Sequence, residues 1–142
     1  LADGVGIATV DLNTANVHVL AAVTRSGGNA GIVARYVDAD NYLYAYHDGT
    51  NAVLVKRVSG SPTTLITAAA TYAAGANIAV MLDGGDYRLW YNNVQVGAAG
   101  TDPALPAGTR VGLYSTNAGN TFDGFQVWAR GTEGQYSVLT RY

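Results

Sequence analysis

Turn-forming clusters of Gly, Asn, Asp, Ser and Pro punctuate this chain about every eight to twelve residues, and the segments between them are short and rich in β-branched and aromatic side chains. That spacing leaves no room for a helix of useful length. It predicts an all-β fold made of two packed antiparallel sheets. Residues 17–23 set Val17, Val19, Ala21 and Val23 against His18, Leu20 and Ala22, and stop at Ser26-Gly27-Gly28-Asn29. Further strands are expected at 30–37, 41–47, 53–58 and 63–72, separated by Asp38-Ala39-Asp40, Asp48-Gly49-Thr50-Asn51 and Ser59-Gly60-Ser61-Pro62. Ala68-Ala69-Ala70 has helix propensity, but Thr64, Thr67, Thr71 and Gly75 weigh against a helix there. The second half continues with 77–82, 87–91, 94–96, 111–115, 121–129 and an outgoing 136–140, with one long loop at 101–109. No linker divides the chain and no repeat is evident, so residues 1–142 form one domain.

Composition removes several function classes. The absence of cysteine excludes a disulfide scaffold, a cysteine zinc site and a thiol nucleophile. Charged residues make up 13% of the chain and the net charge is −2, so there is no footprint for nucleic acid or an anionic membrane. No apolar run approaches the ~18 residues of a membrane-spanning helix. The start at Leu1, with no signal sequence, is read as that of a processed protein or a module of a longer one.

Catalysis fails on inventory. Two-carboxylate chemistry wants closely paired acids. Glu133 is the single glutamate, and the aspartates fall mostly beside Gly, Asn or Pro, where they serve turns. The two histidines, His18 and His47, come with no Gly-x-Ser-x-Gly elbow, so no triad is expected.

The aromatic residues carry more. Tyr42, Tyr44 and Tyr46 alternate on one strand and so share a face. Arg35 lies on the preceding strand, and Trp90 sits between Leu89 and Tyr91 elsewhere. A phenol or indole offers its ring to the C–H face of a sugar, while hydroxyl or guanidinium groups take the sugar hydroxyls. A tyrosine stripe equally suits a protein interface, or the edge of a core with rings buried and hydroxyls at the rim. The ligand candidates are therefore Arg35, Tyr42, Tyr44, Tyr46 and Trp90.

Three segments carry a resemblance. They are Gly31-Ile32-Val33-Ala34-Arg35-Tyr36 with Asp38, Asn41 and Tyr42; Val53-Leu54-Val55-Lys56-Arg57-Val58-Ser59-Gly60; and Val111-Gly112-Leu113-Tyr114-Ser115 with Phe122-Asp123-Gly124-Phe125-Gln126-Val127. Over about residues 17–128 the chain resembles the concanavalin A-like, laminin G-like jelly-roll modules appended to bacterial surface, carbohydrate-active and phage tail proteins. The resemblance implies a two-sheet jelly-roll sandwich and an extracellular, cell-surface or virion setting. It also implies a glycan or a neighbouring protein subunit as partner. Such modules start with an extra strand and turn before the equivalent of Leu1, so the first strand is expected to be missing or supplied by another chain, and a supplied strand would make the sheet edge a site of assembly. No cofactor is expected. Some relatives hold calcium, and Asp38, Asp40 and Asn41 set oxygen ligands in one turn; the same turn is better explained by side chains bonding their own backbone.

These readings predict a non-catalytic carbohydrate-binding module. The alternative is a self-assembling, homo-oligomeric subunit of a tail, fibre or surface filament.

Overall fold

A computed structural model of the chain describes residues 5–130 and the backbone of residues 136–141. Its strands are β1 (Gly6–Asp11), β2 (Val17–Thr24), β3 (Ala30–Asp38), β4 (Asn41–His47), β5 (Asn51–Val58), β6 (Ser61–Ala69), β7 (Ala76–Asp83), β8 (Asp86–Tyr91), β9 (Val94–Thr101), β10 (Arg110–Ser115), β11 (Thr121–Arg130) and β12 (Tyr136–Arg141). Among the described residues there is no α-helix. The strands form two six-stranded antiparallel sheets. The first has the order β1-β10-β3-β4-β5-β6 and the second β12-β11-β2-β7-β8-β9.

The period-two alternation decides which side chains meet between the sheets. Val17, Val19, Ala21 and Val23 of β2 are fully buried, as are Ile78 and Leu82 of β7. Ile32, Leu43 and Leu54 face them from the first sheet, and the two inner faces form one core with Phe125 and Val127 of β11. Each fully buried Leu, Ile or Val contributes about 1.5–3 kcal/mol relative to exposure. Leu113 and Phe122 are half-buried at its margin.

Tight hairpins hold the register. Ser59-Gly60 (φ 50° and 79°) and Asn92-Asn93 (φ 51° and 65°) are two-residue loops with positive φ at both positions, whose twist matches that of the strands they join. Gly84-Gly85 closes β7 on β8, with Asp83 opposite Asp86.

Four boundaries differ from the sequence-based expectation. Gly6–Asp11 forms an edge strand, with Ile7 opposite Tyr114 and Val10 opposite Val111. The sequence reading placed no strand before Val17; Gly6–Asp11 is held in the first sheet by its pairing with β10. β6 starts at Ser61 and includes Pro62, which an edge strand tolerates. It stops at Ala69, before Tyr72, whose hydroxyl accepts a hydrogen bond from the Arg25 N–H at 2.7 Å. β9 runs on through Gly97-Ala98-Ala99-Gly100 to Thr101, where side chains give no alternation and pairing with β8 sets the conformation.

Candidate functional site

The outer face of the first sheet is built in three rows, read across from β1 to β6. One row runs Ile7, Tyr114, Gly31, Tyr46, Val53, Thr67. The next runs Thr9, Gly112, Val33, Tyr44, Val55, Thr64. The third carries Asp11, Arg110, Tyr36, then Tyr42, Arg57 and Pro62, with a bulge in β3 between Tyr36 and Tyr42. Val33, Val53 and Val55 are buried although they face outward, because the tyrosine rings lie over this floor.

Five tyrosines form one connected cluster. Ring centroids are 5.5 Å apart for Tyr36–Tyr42, 5.3 Å for Tyr42–Tyr44 and 5.8 Å for Tyr44–Tyr46. Tyr114 closes it, 5.1 Å from Tyr44 and 5.8 Å from Tyr46. Partial burial disfavours the phenolate, and the neighbouring phenols add to that effect. Tyr44 is pushed up to about 12, and Tyr42 and Tyr46 are raised, burial being the largest cause for each. Burial also raises Tyr114, against a hydrogen bond with Asn29. At neutral pH the face is therefore a set of uncharged hydroxyl donors and acceptors on a close-packed aromatic bed. Among the described residues, no protein group hydrogen-bonds the hydroxyls of Tyr42, Tyr44 or Tyr46. Arg57 stands opposite Tyr42, and its Nε donates to the Ala39 carbonyl at 3.2 Å.

The structure brings Tyr42, Tyr44 and Tyr46 together and separates Arg35 and Trp90 from them. At the β3 bulge Arg35 adopts φ 49° and turns away from the outer face, leaving the residue 4% exposed. Its Nε donates to the Ala15 carbonyl at 2.8 Å and a terminal nitrogen donates to Asn16 Oδ1 at 3.1 Å. The same Asn16 oxygen accepts the Gly84 N–H at 2.9 Å, so Arg35 ties the β1–β2 loop to the β7–β8 turn. Strict alternation cannot anticipate this, because a bulge adds a residue to one strand. Trp90 lies on the outer face of the second sheet, with its ring stacked on His18 at 5.4 Å and 16°. Trp128, which pairs with His18 across β11 and β2, meets the same imidazole edge-on at 5.5 Å.

The oxygen-rich turn is taken up by its own backbone. Asp38 Oδ1 accepts from the Asp40 N–H and from Asn41 Nδ2, both at 2.9 Å, and Asn41 Oδ1 accepts the Ser59 N–H at 3.0 Å. Asp40 lies 3.8 Å from an Arg57 nitrogen. Among the described residues, no group of three His, Asp or Glu side chains could hold a metal ion. His47 is not part of such a group. It is fully buried, with Nε2 donating to the Ala70 carbonyl at 2.8 Å and Nδ1 accepting the Gly49 N–H at 2.9 Å.

No protein-family model matches the chain, and neither does any curated protein. Solved structures do. The carbohydrate-binding module CBM66 from Bacillus subtilis superposes with a TM-score of 0.69 at 16% identity, covering 84% of this chain and 76% of that one. The Caenorhabditis elegans galectin LEC-6 gives 0.63 at 11% identity, covering 85% and 89%. CG-16, a homodimeric agglutinin from chicken liver, gives 0.62 at 9% identity, covering 86% and 99%. The fold is the concanavalin A-like jelly roll.

Among the described residues of this jelly roll, the aspartates are held in turns, hydrogen bonds and ion pairs of the fold. Those that depart from their ordinary range go down: Asp11 through the Thr109 hydroxyl, Asp38 through Asn41, Asp102 through Lys56. In Asp48, amide hydrogen bonds from Asn51 and Thr50 outweigh burial. A general acid needs the opposite shift. An apolar cleft of about 340 Å³ opens between β10 and β11 beside Phe122 and Phe125, but its one charged lining residue, Asp123, bonds the Gly124 N–H at 2.8 Å. The sequence reading missed Tyr36 and Tyr114 as members of the tyrosine cluster, and Gly31 beneath it. Tyr114 shared the outward parity of its strand, but only strand order shows that β10 lies one strand away from β4.

Proposed function

We propose that this chain is a non-catalytic carbohydrate-binding module that attaches a secreted surface or phage-tail protein to glycans through the outer face of its first sheet. The observation that carries the reading is the connected Tyr36–Tyr42–Tyr44–Tyr46–Tyr114 cluster, with neutral and unpartnered hydroxyls at Tyr42, Tyr44 and Tyr46. A bed of rings takes the apolar faces of pyranose units and the phenols take their hydroxyls. Tyr42, Tyr44 and Tyr46 follow one another along β4, so the ligand is an extended, uncharged stretch of glycan. The fold shared with carbohydrate-binding proteins supports this, as does the commitment of the described aspartates to turns and ion pairs. A glycan array probed with the wild-type chain and with Tyr44→Ala tests it. Binding to neutral glycans that Tyr44→Ala abolishes is expected. Absence of glycan binding, or binding that Tyr44→Ala leaves intact, would overturn it.

A second reading, a self-assembling subunit of a tail, fibre or filament, rests on the same face, since tyrosine over buried valine also suits a protein interface. Light scattering across concentration separates the two: a monomer with an exposed tyrosine face binds ligand, whereas a discrete oligomer or filament that buries it is an assembly subunit.

A further inference from the structure

The outer face of the second sheet holds a hollow of about 240 Å³ lined by His18, Leu20, Asn77, Ala79, Trp90 and Asn93. Register explains why it is there. Trp90 stands opposite Ala79, and Ala79 opposite Leu20, in one row across β8, β7 and β2. In the next row His18 pairs with Met81. The near-parallel stack shows that the indole leans toward His18, which leaves small Ala79 at the base of the hollow. On its other side stand Asn77 and the turn residue Asn93. The Asn92 N–H donates to the Asn77 carbonyl at 2.8 Å and pins that turn to β7. The positive φ of Asn93 is set by the two-residue loop. Among the described residues, neither the Asn77 nor the Asn93 side-chain amide has a hydrogen-bond partner.

We infer that this hollow is a second saccharide subsite, separate from the tyrosine face, which takes a single uncharged pyranose ring against Trp90 with its hydroxyls on the Asn77 and Asn93 amides. The lining itself carries no carboxylate, lysine or arginine, and burial, followed by the charge of Arg130, holds His18 toward its neutral form, so the lining offers a ligand no charged group. Two amides, each both donor and acceptor, match vicinal hydroxyls. The volume falls below the about 300–1,000 Å³ of sites that engulf drug-sized ligands, which suits one ring and not a chain. Two saccharide sites on opposite sheets would let one monomer bridge two glycans. The inference shares with the proposed function only its class of ligand.

The test is a two-dimensional NMR titration of the ¹⁵N-labelled chain with methyl glycosides of glucose, galactose, mannose and xylose. It follows the Trp90 indole N–H and the Asn77 and Asn93 side-chain amides. Shifts of these signals with at least one glycoside are expected, with affinity lowered at least tenfold by Trp90→Ala or by Asn77→Ala, and unchanged by Tyr44→Ala. Trp90→Phe, which keeps a ring, is expected to fall between. No shift at any of the three side chains up to high millimolar glycoside would overturn the subsite, as would shifts that Tyr44→Ala abolishes. If these side chains respond while the tyrosine face is silent toward every glycan, the subsite stands and the proposed function falls.

Discussion

The rings of Tyr44 and Tyr114 lie 5.1 Å apart although β3 runs between their strands. They meet because the row between Tyr114 and Tyr46 is occupied by Gly31, which has no side chain to keep the rings apart. A Cβ at Gly31 would collide with the Ala45 carbonyl and come within 2.6 Å of Tyr46 Cα. The glycine thus permits both the close approach of β3 to β4 and the continuity of the aromatic bed.

Gly31→Ala is therefore expected to destabilise the fold by about 3 kcal/mol, the upper end of overpacking costs, because the obstacle is backbone and cannot rotate away. Chemical denaturation measures it. A cost below about 1 kcal/mol would show that β3 and β4 can part without penalty.

The tyrosine cluster makes a spectroscopic signature. Ordinary phenols titrate near 10, whereas Tyr44 is pushed up to about 12 and Tyr42, Tyr46 and Tyr114 are also raised. An ultraviolet titration of the folded chain should show a late-ionising group, which Tyr44→Phe diminishes. Since the folded values lie above the unfolded ones, the associated stability is complete below about pH 10 and is lost as pH rises toward the folded values.

His47 gives the opposite sign at the other end of the scale. Burial lowers its pKa, and the Gly49 N–H pointing at Nδ1 leaves no place for a second proton. Its stabilising contribution is complete above the unfolded value of about 6.5 and is lost as pH falls below it. His47→Gln should be less stable than wild type at pH 7.5, by about 1–3 kcal/mol for a buried hydrogen-bonded group. It should also lose less stability between pH 7 and pH 5, and thermal unfolding at those pH values decides it. His18, also lowered, is common to both proteins and cancels in the comparison.

Arg35 is expected to matter for stability and not for ligand contact. Arg35→Ala removes the donors to Ala15 and Asn16 that tie the sheet ends together, at about 1.5–3 kcal/mol for bonds from a charged group. Glycan affinity of the folded fraction should stay within about twofold of wild type, since 1.4 kcal/mol is tenfold. A large loss of affinity with full stability would place Arg35 in the ligand site.

Much of the sandwich was legible because its cues are local. The Val17–Val19–Ala21–Val23 alternation, the Ser59-Gly60 and Asn92-Asn93 turns, and the shared face of Tyr42, Tyr44 and Tyr46 depend on residues a few positions apart. What was not legible depends on pairing over long separations. β1 is a strand because of β10, about a hundred residues on. Tyr114 joins Tyr44 through strand order, and the bulge that turns Arg35 inward is a register shift between β3 and its neighbours. Trp90 was recognisable as a ligand-type side chain, but its sheet could not be assigned before the strand order was known.

The central claim, that glycans bind on the tyrosine bed of the first sheet, is tested most directly by backbone NMR shift mapping. The wild-type chain is titrated with the strongest oligosaccharide found on the array. The account expects the largest shifts at Tyr42, Tyr44, Tyr46 and Tyr114 and at Val33 and Val55 beneath them. Shifts confined to the loops at the sheet ends, with these residues unmoved, would contradict it.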